Sequence, residues 1–116
     1  MKKILLIAAA ILICAAFLSS CNAKKYCGTY TFSDGITFSE VRLNEDGSFE
    51  FMFSPVSDYL GIGNFTVRGD KITLKTSDGM YHYVFRITDN GIVFDADASS
   101  DTFWYGAFSD GSLFKK

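Results

Sequence analysis

The sequence predicts an all-β fold, a small antiparallel meander barrel of seven or eight strands, and three observations predict it. Apolar residues recur with a period of two in almost every segment after residue 27. Glycine-containing turn dipeptides separate those segments, and no stretch after Cys21 keeps helical spacing over ten residues.

The elements follow in order. Residues 28–33 place Tyr30 and Phe32 on one face, and residues 38–44 do the same with Val41 and Leu43. In residues 48–54, Phe49, Phe51 and Phe53 alternate with Ser48, Glu50 and Met52. Phe65/Val67, Ile72/Leu74 and Tyr81/Tyr83/Phe85/Ile87 repeat the pattern, and Ile92-Val93-Phe94 and Leu113-Phe114 complete it. Between these runs lie Asp46-Gly47, Gly69-Asp70, Asp78-Gly79 and Asn90-Gly91, dipeptides that supply the positive φ of tight hairpin turns and so impose antiparallel pairing. The one proline, Pro55, falls in residues 54–63, read as the one connection long enough to form a lip or a short helical turn. A meander this rich in aromatics must hide its edges and apolar faces. A sandwich or a closed barrel does so, and the barrel is the expectation. Eight strands leave an interior that Phe and Tyr side chains can fill.

Before this region stands a leader. Lys2 and Lys3 are followed by an uncharged apolar run, residues 4–17, and by Leu18-Ser19-Ser20-Cys21. Basic start, apolar centre and small-residue cleavage site are the layout of a secretory signal. The apolar stretch covers only about 22 Å as a helix, short of the ~30 Å hydrocarbon core. The leader resembles that of bacterial lipoproteins, in which cleavage between Ser20 and Cys21 leaves an acylated cysteine, carrying palmitate-type chains, as the new N-terminus. The expected organisation is therefore a signal peptide at 1–20, a lipid-anchored tether at 21–27 and one barrel domain at 28–116. The tether reaches at most about 20 Å, so the domain is expected on the extracytoplasmic face of a cell membrane, close to the bilayer. Lys24 and Lys25 are read as part of a solvated tether.

Without residues 1–20 the chain has 96 residues, the size of one domain, and its side chains carry 9 Lys+Arg against 13 Asp+Glu. With no basic patch apparent in the sequence, a nucleic-acid partner is not expected. Cys14 departs with the leader and Cys21 is the anchor, which leaves Cys27, read as a small buried hydrophobe with a Cys21–Cys27 disulfide as the alternative if acylation fails.

No residue set names a reaction, and the chain is read as a non-enzyme. His82 is the only histidine; alternation turns it away from Tyr81, Tyr83 and Phe85, and no nucleophile elbow accompanies it. One His and one Cys do not make a zinc site. Asp95, Asp97 and Asp101 alternate like the start of a calcium loop, but Ser100 and Gly106 stand where glycine and glutamate are needed, so no metal or cofactor is expected. Glu40, Glu50 and Asp58 are the carboxylates available for glycoside cleavage, which needs two of them at about 5–9.5 Å. Phe103, Trp104 and Tyr105, with Phe108, and separately Tyr59, Leu60 and Ile62, put large apolar groups in connecting segments. There they either plug the barrel's open ends or form a partner surface.

The strand-turn-strand Leu43-Asn44-Glu45-Asp46-Gly47-Ser48-Phe49 resembles one in small bacterial lipocalin-like lipoproteins. Taken in order, Asp58-Tyr59-Leu60-Gly61-Ile62-Gly63-Asn64-Phe65, residues 71–79, Tyr83-Val84-Phe85, Ile92-Val93-Phe94-Asp95-Ala96, Ser99-Ser100 and Asp110-Gly111-Ser112-Leu113-Phe114 are similar to an extracytoplasmic β-rich domain appended to membrane metallopeptidases of the β-lactam-sensor type. The His-Glu-x-x-His of the peptidase is absent from this sequence. The resemblance implies a free-standing, lipid-tethered copy of a sensing or binding module. Three roles remain open: binding an envelope protein through the barrel loops, carrying a small apolar ligand inside the barrel, or modulating an envelope enzyme. A carrier would need several small residues facing inward.

Overall fold

Alternating apolar and polar residues make strands because successive side chains leave opposite faces of the backbone, so one face can be buried whole. The computed structural model describes residues 24–55, 59–100 and 108–116 and contains eight strands. They are β1 (Gly28–Ser33), β2 (Phe38–Leu43), β3 (Ser48–Met52), β4 (Leu60–Arg68), β5 (Lys71–Thr76), β6 (His82–Thr88), β7 (Gly91–Asp95) and β8 (Leu113–Phe114). Each pairs antiparallel with the next in the order β1 to β8. The Thr31 N–H donates to the Lys115 carbonyl at 2.7 Å and the Lys115 N–H returns to the Thr31 carbonyl at 3.0 Å. That bridge brings the last strand back to the first, and the sheet becomes a nearly closed barrel.

The meander gives the barrel two unlike ends. The chain enters β1 and leaves β8 at one of them, here the tether end, together with the short turns at residues 44–47, 69–70 and 89–90. The connections at residues 34–37, 53–59, 77–81 and 96–112 start and finish at the other, the loop end.

Three turns share one device. The Asp34 carboxylate accepts the Ile36 and Thr37 N–H groups at 2.9 and 2.8 Å. Asp46 accepts the Ser48 N–H and hydroxyl at 2.9 and 2.6 Å, and Asp78 the Thr76 hydroxyl and the Met80 N–H at 2.6 and 2.9 Å. These bonds favour the charged form and hold all three carboxyls below the usual carboxylate range. Gly69, at φ +63°, provides the left-handed backbone of the two-residue β4–β5 turn.

Rings fill the interior. Phe51, fully buried, meets Phe53, Tyr83, Phe85 and Phe108 at centroid distances of 4.3, 5.2, 5.6 and 5.4 Å, and the first three of these pairs are edge-to-face. Phe114 closes the cluster at 5.3 Å from Phe85. Among the described residues every member of the core lies between Tyr30 and Phe114.

One element begins earlier than its pattern predicts. β4 starts at Leu60, inside the segment 54–63 read above as a connection. Here the inward positions are Gly61 and Gly63 while Leu60 and Ile62 face out, so the apolar alternation is inverted and reads as loop. The register explains the glycines: Phe51 lies opposite Gly61 and Phe49 opposite Gly63. The space a side chain would take lies against Phe51 and the Tyr59 ring at Gly61, and is filled by the backbone of Lys75, Thr76 and Ser77 at Gly63.

Candidate functional site

The apolar residues of the loop end divide into two groups. Tyr59 turns inward: its ring stacks on Phe53 at 4.9 Å and its hydroxyl lies 3.1 Å from that of Tyr83. Phe108 is buried against Phe51, Phe94 and Phe114. Both are plugs. Leu60 and Ile62 turn outward and are 51% and 52% exposed, and with them Ile36, Phe38 and Met80 make up the exposed large apolar residues among those described. All five sit at the loop end or on the half of the wall nearest it.

Part of this set is contiguous. Met52 pairs with Leu60 and Glu50 with Ile62, and β2 presents Glu40 beside Met52. The apolar strip Met52, Leu60 and Ile62 therefore runs across the outer wall of β3 and β4, bordered by Glu40, Arg42 and Glu50. Arg42 reaches Glu50 at 3.3 Å and Glu40 at 3.7 Å. These solvent-facing pairs contribute at most about 1 kcal/mol to stability. They place two of the three carboxylates considered for glycoside cleavage on a convex wall, each facing a guanidinium.

Other sequence candidates take structural positions. His82 Nδ1 lies 3.0 Å from the Ser100 hydroxyl, which also accepts the His82 N–H at 2.9 Å, while the Ser100 N–H donates to the His82 carbonyl. Ser99 does the same for β6 further along, accepting the Val84 N–H at 2.8 Å. These two hydroxyls continue the ladder of β6 where β7 ends, and the pairing of Ser100 with His82 is part of that seam. The Asp95 carboxylate accepts the Ala98 N–H at 3.3 Å, closing the turn that leads into it. Among the described residues no three His, Cys, Asp or Glu side chains gather as a metal site. Cys27 is half-buried against the core, and desolvation, reinforced by Glu45, pushes its thiol pKa up. Ser20, Cys21, Phe103, Trp104 and Tyr105 lie outside the described residues, as does Asp58.

The tether end holds a cleft of about 230 Å³ lined by Lys25, Tyr26, Tyr30, Asn90 and Lys116 among others. It is open to solvent, and two core residues, Tyr30 and Ile92, form part of its wall. Lys25 and Lys116 each lie 5.5 Å above a ring, that of Tyr26 and Tyr30 respectively.

Burial of Tyr83, with its bond to Tyr59 second, pushes its hydroxyl pKa far above the ordinary value near 10. An unfolded chain releases this proton above pH ~10 whereas the folded barrel retains it, so stability is complete below that pH and falls as pH rises. Denaturation midpoints are expected to drop between pH 9.5 and 11.5, by up to ~1.4 kcal/mol per pH unit for this one proton. Tyr83→Phe is expected to remove at least half of that slope. An unchanged slope in the variant would disprove the assignment.

Comparison of the chain with family models, curated proteins and solved structures finds no match. The outward strip of β4 is the part of this site that sequence reasoning placed in the wrong element. The signal was present in the alternation of glycine with Leu60 and Ile62, read with the opposite phase.

Proposed function

We propose that this chain is a lipid-tethered, non-enzymatic binding module that meets an envelope protein through the loop end of its barrel. The observation that carries this reading is that, among the described residues, the exposed large apolar side chains are confined to that end, opposite the point where the chain enters β1. Apolar surface gathered in one place marks contact sites, whereas single scattered residues do not. A tether attached at the far end leaves the strip free to meet a partner. The filled interior favours this surface over an internal ligand, since the small inward positions a carrier would need, Gly61 and Gly63, face Phe51 and Phe49 across the ladder. The resemblance to a sensor-type extracytoplasmic domain points to the same class of role.

Two measurements test it. Cells grown with labelled palmitate should label the protein, and Cys21→Ser should abolish the label and leave the leader attached. A photo-reactive phenylalanine analogue at Leu60 or Ile62 should give one discrete crosslinked adduct in intact cells, while the same group at Thr66 or Thr73, on the outer wall nearer the tether end, should give none. Equal crosslinking from all four positions would refute a specific contact surface.

A further inference from the structure

Across β4, β5 and β6 the outer wall carries an arrangement that stability alone does not favour. Arg68 pairs with Lys71, and Lys71 with Arg86, so three cations stand side by side on adjoining strands, all exposed. Like charges directly opposed across a ladder destabilise a sheet. Among the described residues none of the three has an ion pair, since both ion pairs belong to Arg42. Neighbouring strands are about 4.8 Å apart, which sets these groups at a spacing that phosphate oxygens can bridge.

The row lies at the tether end, and it is not alone there. Lys25 and Lys116 border the tether-end cleft further round the rim, between the segment that enters β1 and the β6–β7 turn, where Asp89 lines the same cleft; Lys24 and Lys115 are next to them in the chain. Glu45, Asp46, Asp70 and Asp89 occupy turns at the same rim and offset part of this charge, but the cations outnumber them. The loop end has the reverse balance, with Asp34, Asp78, Asp95, Asp97 and Asp110 against Lys75. The barrel is thus electrically polar along its axis, positive where the chain enters it. Lys24 lies three positions after Cys21, a reach of about 11 Å at most.

We infer that the tether-end rim, with Arg68, Lys71 and Arg86 across β4 to β6 and Lys25 and Lys116 at the cleft beyond the β6–β7 turn, docks on the headgroups of anionic phospholipids. Choosing a bilayer as the source of phosphate rests on the reading of Cys21 as acylated. Cations spread along the rim turn this end of the barrel toward the lipid, which holds the strip of Met52, Leu60 and Ile62 away from it.

The test uses residues 22–116 without lipid, because the barrel closes and buries its core within that span, and so it measures the rim independently of the anchor. In low salt, this domain should sediment with vesicles containing 30 mol% phosphatidylglycerol at least tenfold more strongly than with pure phosphatidylcholine, and the difference should shrink as salt rises. At roughly fivefold per charge, the triple variant Arg68→Gln, Lys71→Gln, Arg86→Gln should weaken binding about a hundredfold. Lys75→Gln, at the loop end, should change it less than twofold. The triple variant should also melt no lower than the parent in low salt, since it relieves like-charge opposition, so a loss of binding is not a loss of fold. Equal binding to both vesicle types, or undiminished binding by the triple variant, would overturn the inference. Absence of acyl label on the full chain in cells would instead remove the anchor and leave the rim's vesicle binding as a separate result.

Discussion

Phe51→Ala is expected to lower the unfolding free energy by about 3–5 kcal/mol, the usual loss for truncating a buried phenylalanine to alanine. The upper part of that range is expected here, because the ring contacts aromatic side chains from several strands at once. It touches Phe53 beside it, Tyr83 and Phe85 on β6, Phe108 before β8 and Phe114 on β8. Rings held from several strands cannot all move inward to close the gap, so much of the cavity persists. Small domains retain only about 5–15 kcal/mol in total, so this one change removes a large share. Urea denaturation followed by circular dichroism measures it, with Leu60→Ala as the comparison: its side chain is half exposed, and a change within about 0.5 kcal/mol is expected there. The same variant tests whether the barrel is a carrier. A dry cavity lined by apolar groups takes up benzene-sized molecules. Benzene should therefore raise the midpoint of Phe51→Ala and leave the parent unchanged. A loss below about 1.5 kcal/mol, or stabilisation of the parent by benzene, would show that the interior is not filled as described.

The route from sequence to fold was short wherever large residues faced in and polar ones faced out. β1, β2, β3, β5, β6 and β7 could be read from that alternation, and their turns from aspartate, asparagine and glycine, because turn geometry and side-chain period are local properties. What failed was local as well. In β4 the inward residues are glycines and the outward ones are Leu60 and Ile62, so the pattern that signals a strand signals a loop instead. Only the register, which sets Phe49 and Phe51 opposite those glycines, shows why the inversion is stable. The candidate surface was hidden for the same reason. Tyr59, Leu60 and Ile62 read as one aromatic-aliphatic cluster, yet a single strand start turns the first into the core and the other two to solvent. The cation row was hidden for a different reason. Arg68, Lys71 and Arg86 are scattered in sequence and become neighbours only through two ladders.

Gly63→Ala is the second large effect, and its origin is steric. A Cβ at this position would stand 2.0 Å from the Lys75 carbonyl oxygen, 2.9 Å from the Ser77 nitrogen and 2.9 Å from the Thr76 Cα. All three are backbone atoms of β5 and the residue after it, so no side chain can swing aside to make room. Relief requires β4 and β5 to part where Gly63 pairs with Thr76, which opens the β4–β5 ladder at its loop-end rung. The expected cost is at or beyond the upper end of the ~1–3 kcal/mol seen when a packed interior is overfilled. Gly61→Ala is the control, on the same strand and the same face. Its Cβ would meet Phe51 and Tyr59 at 3.6 Å, an ordinary contact, so the loss there should stay below about 1.5 kcal/mol. The pair also bears on function, because the tight seam at Gly63 fixes the strand phase that turns Ile62 and Leu60 outward. Where Gly63→Ala still folds at low temperature, crosslinking from position 62 should weaken while that from the Gly61→Ala protein persists. Equal stability losses in the two variants would mean that β4 does not approach β5 as closely as the geometry requires.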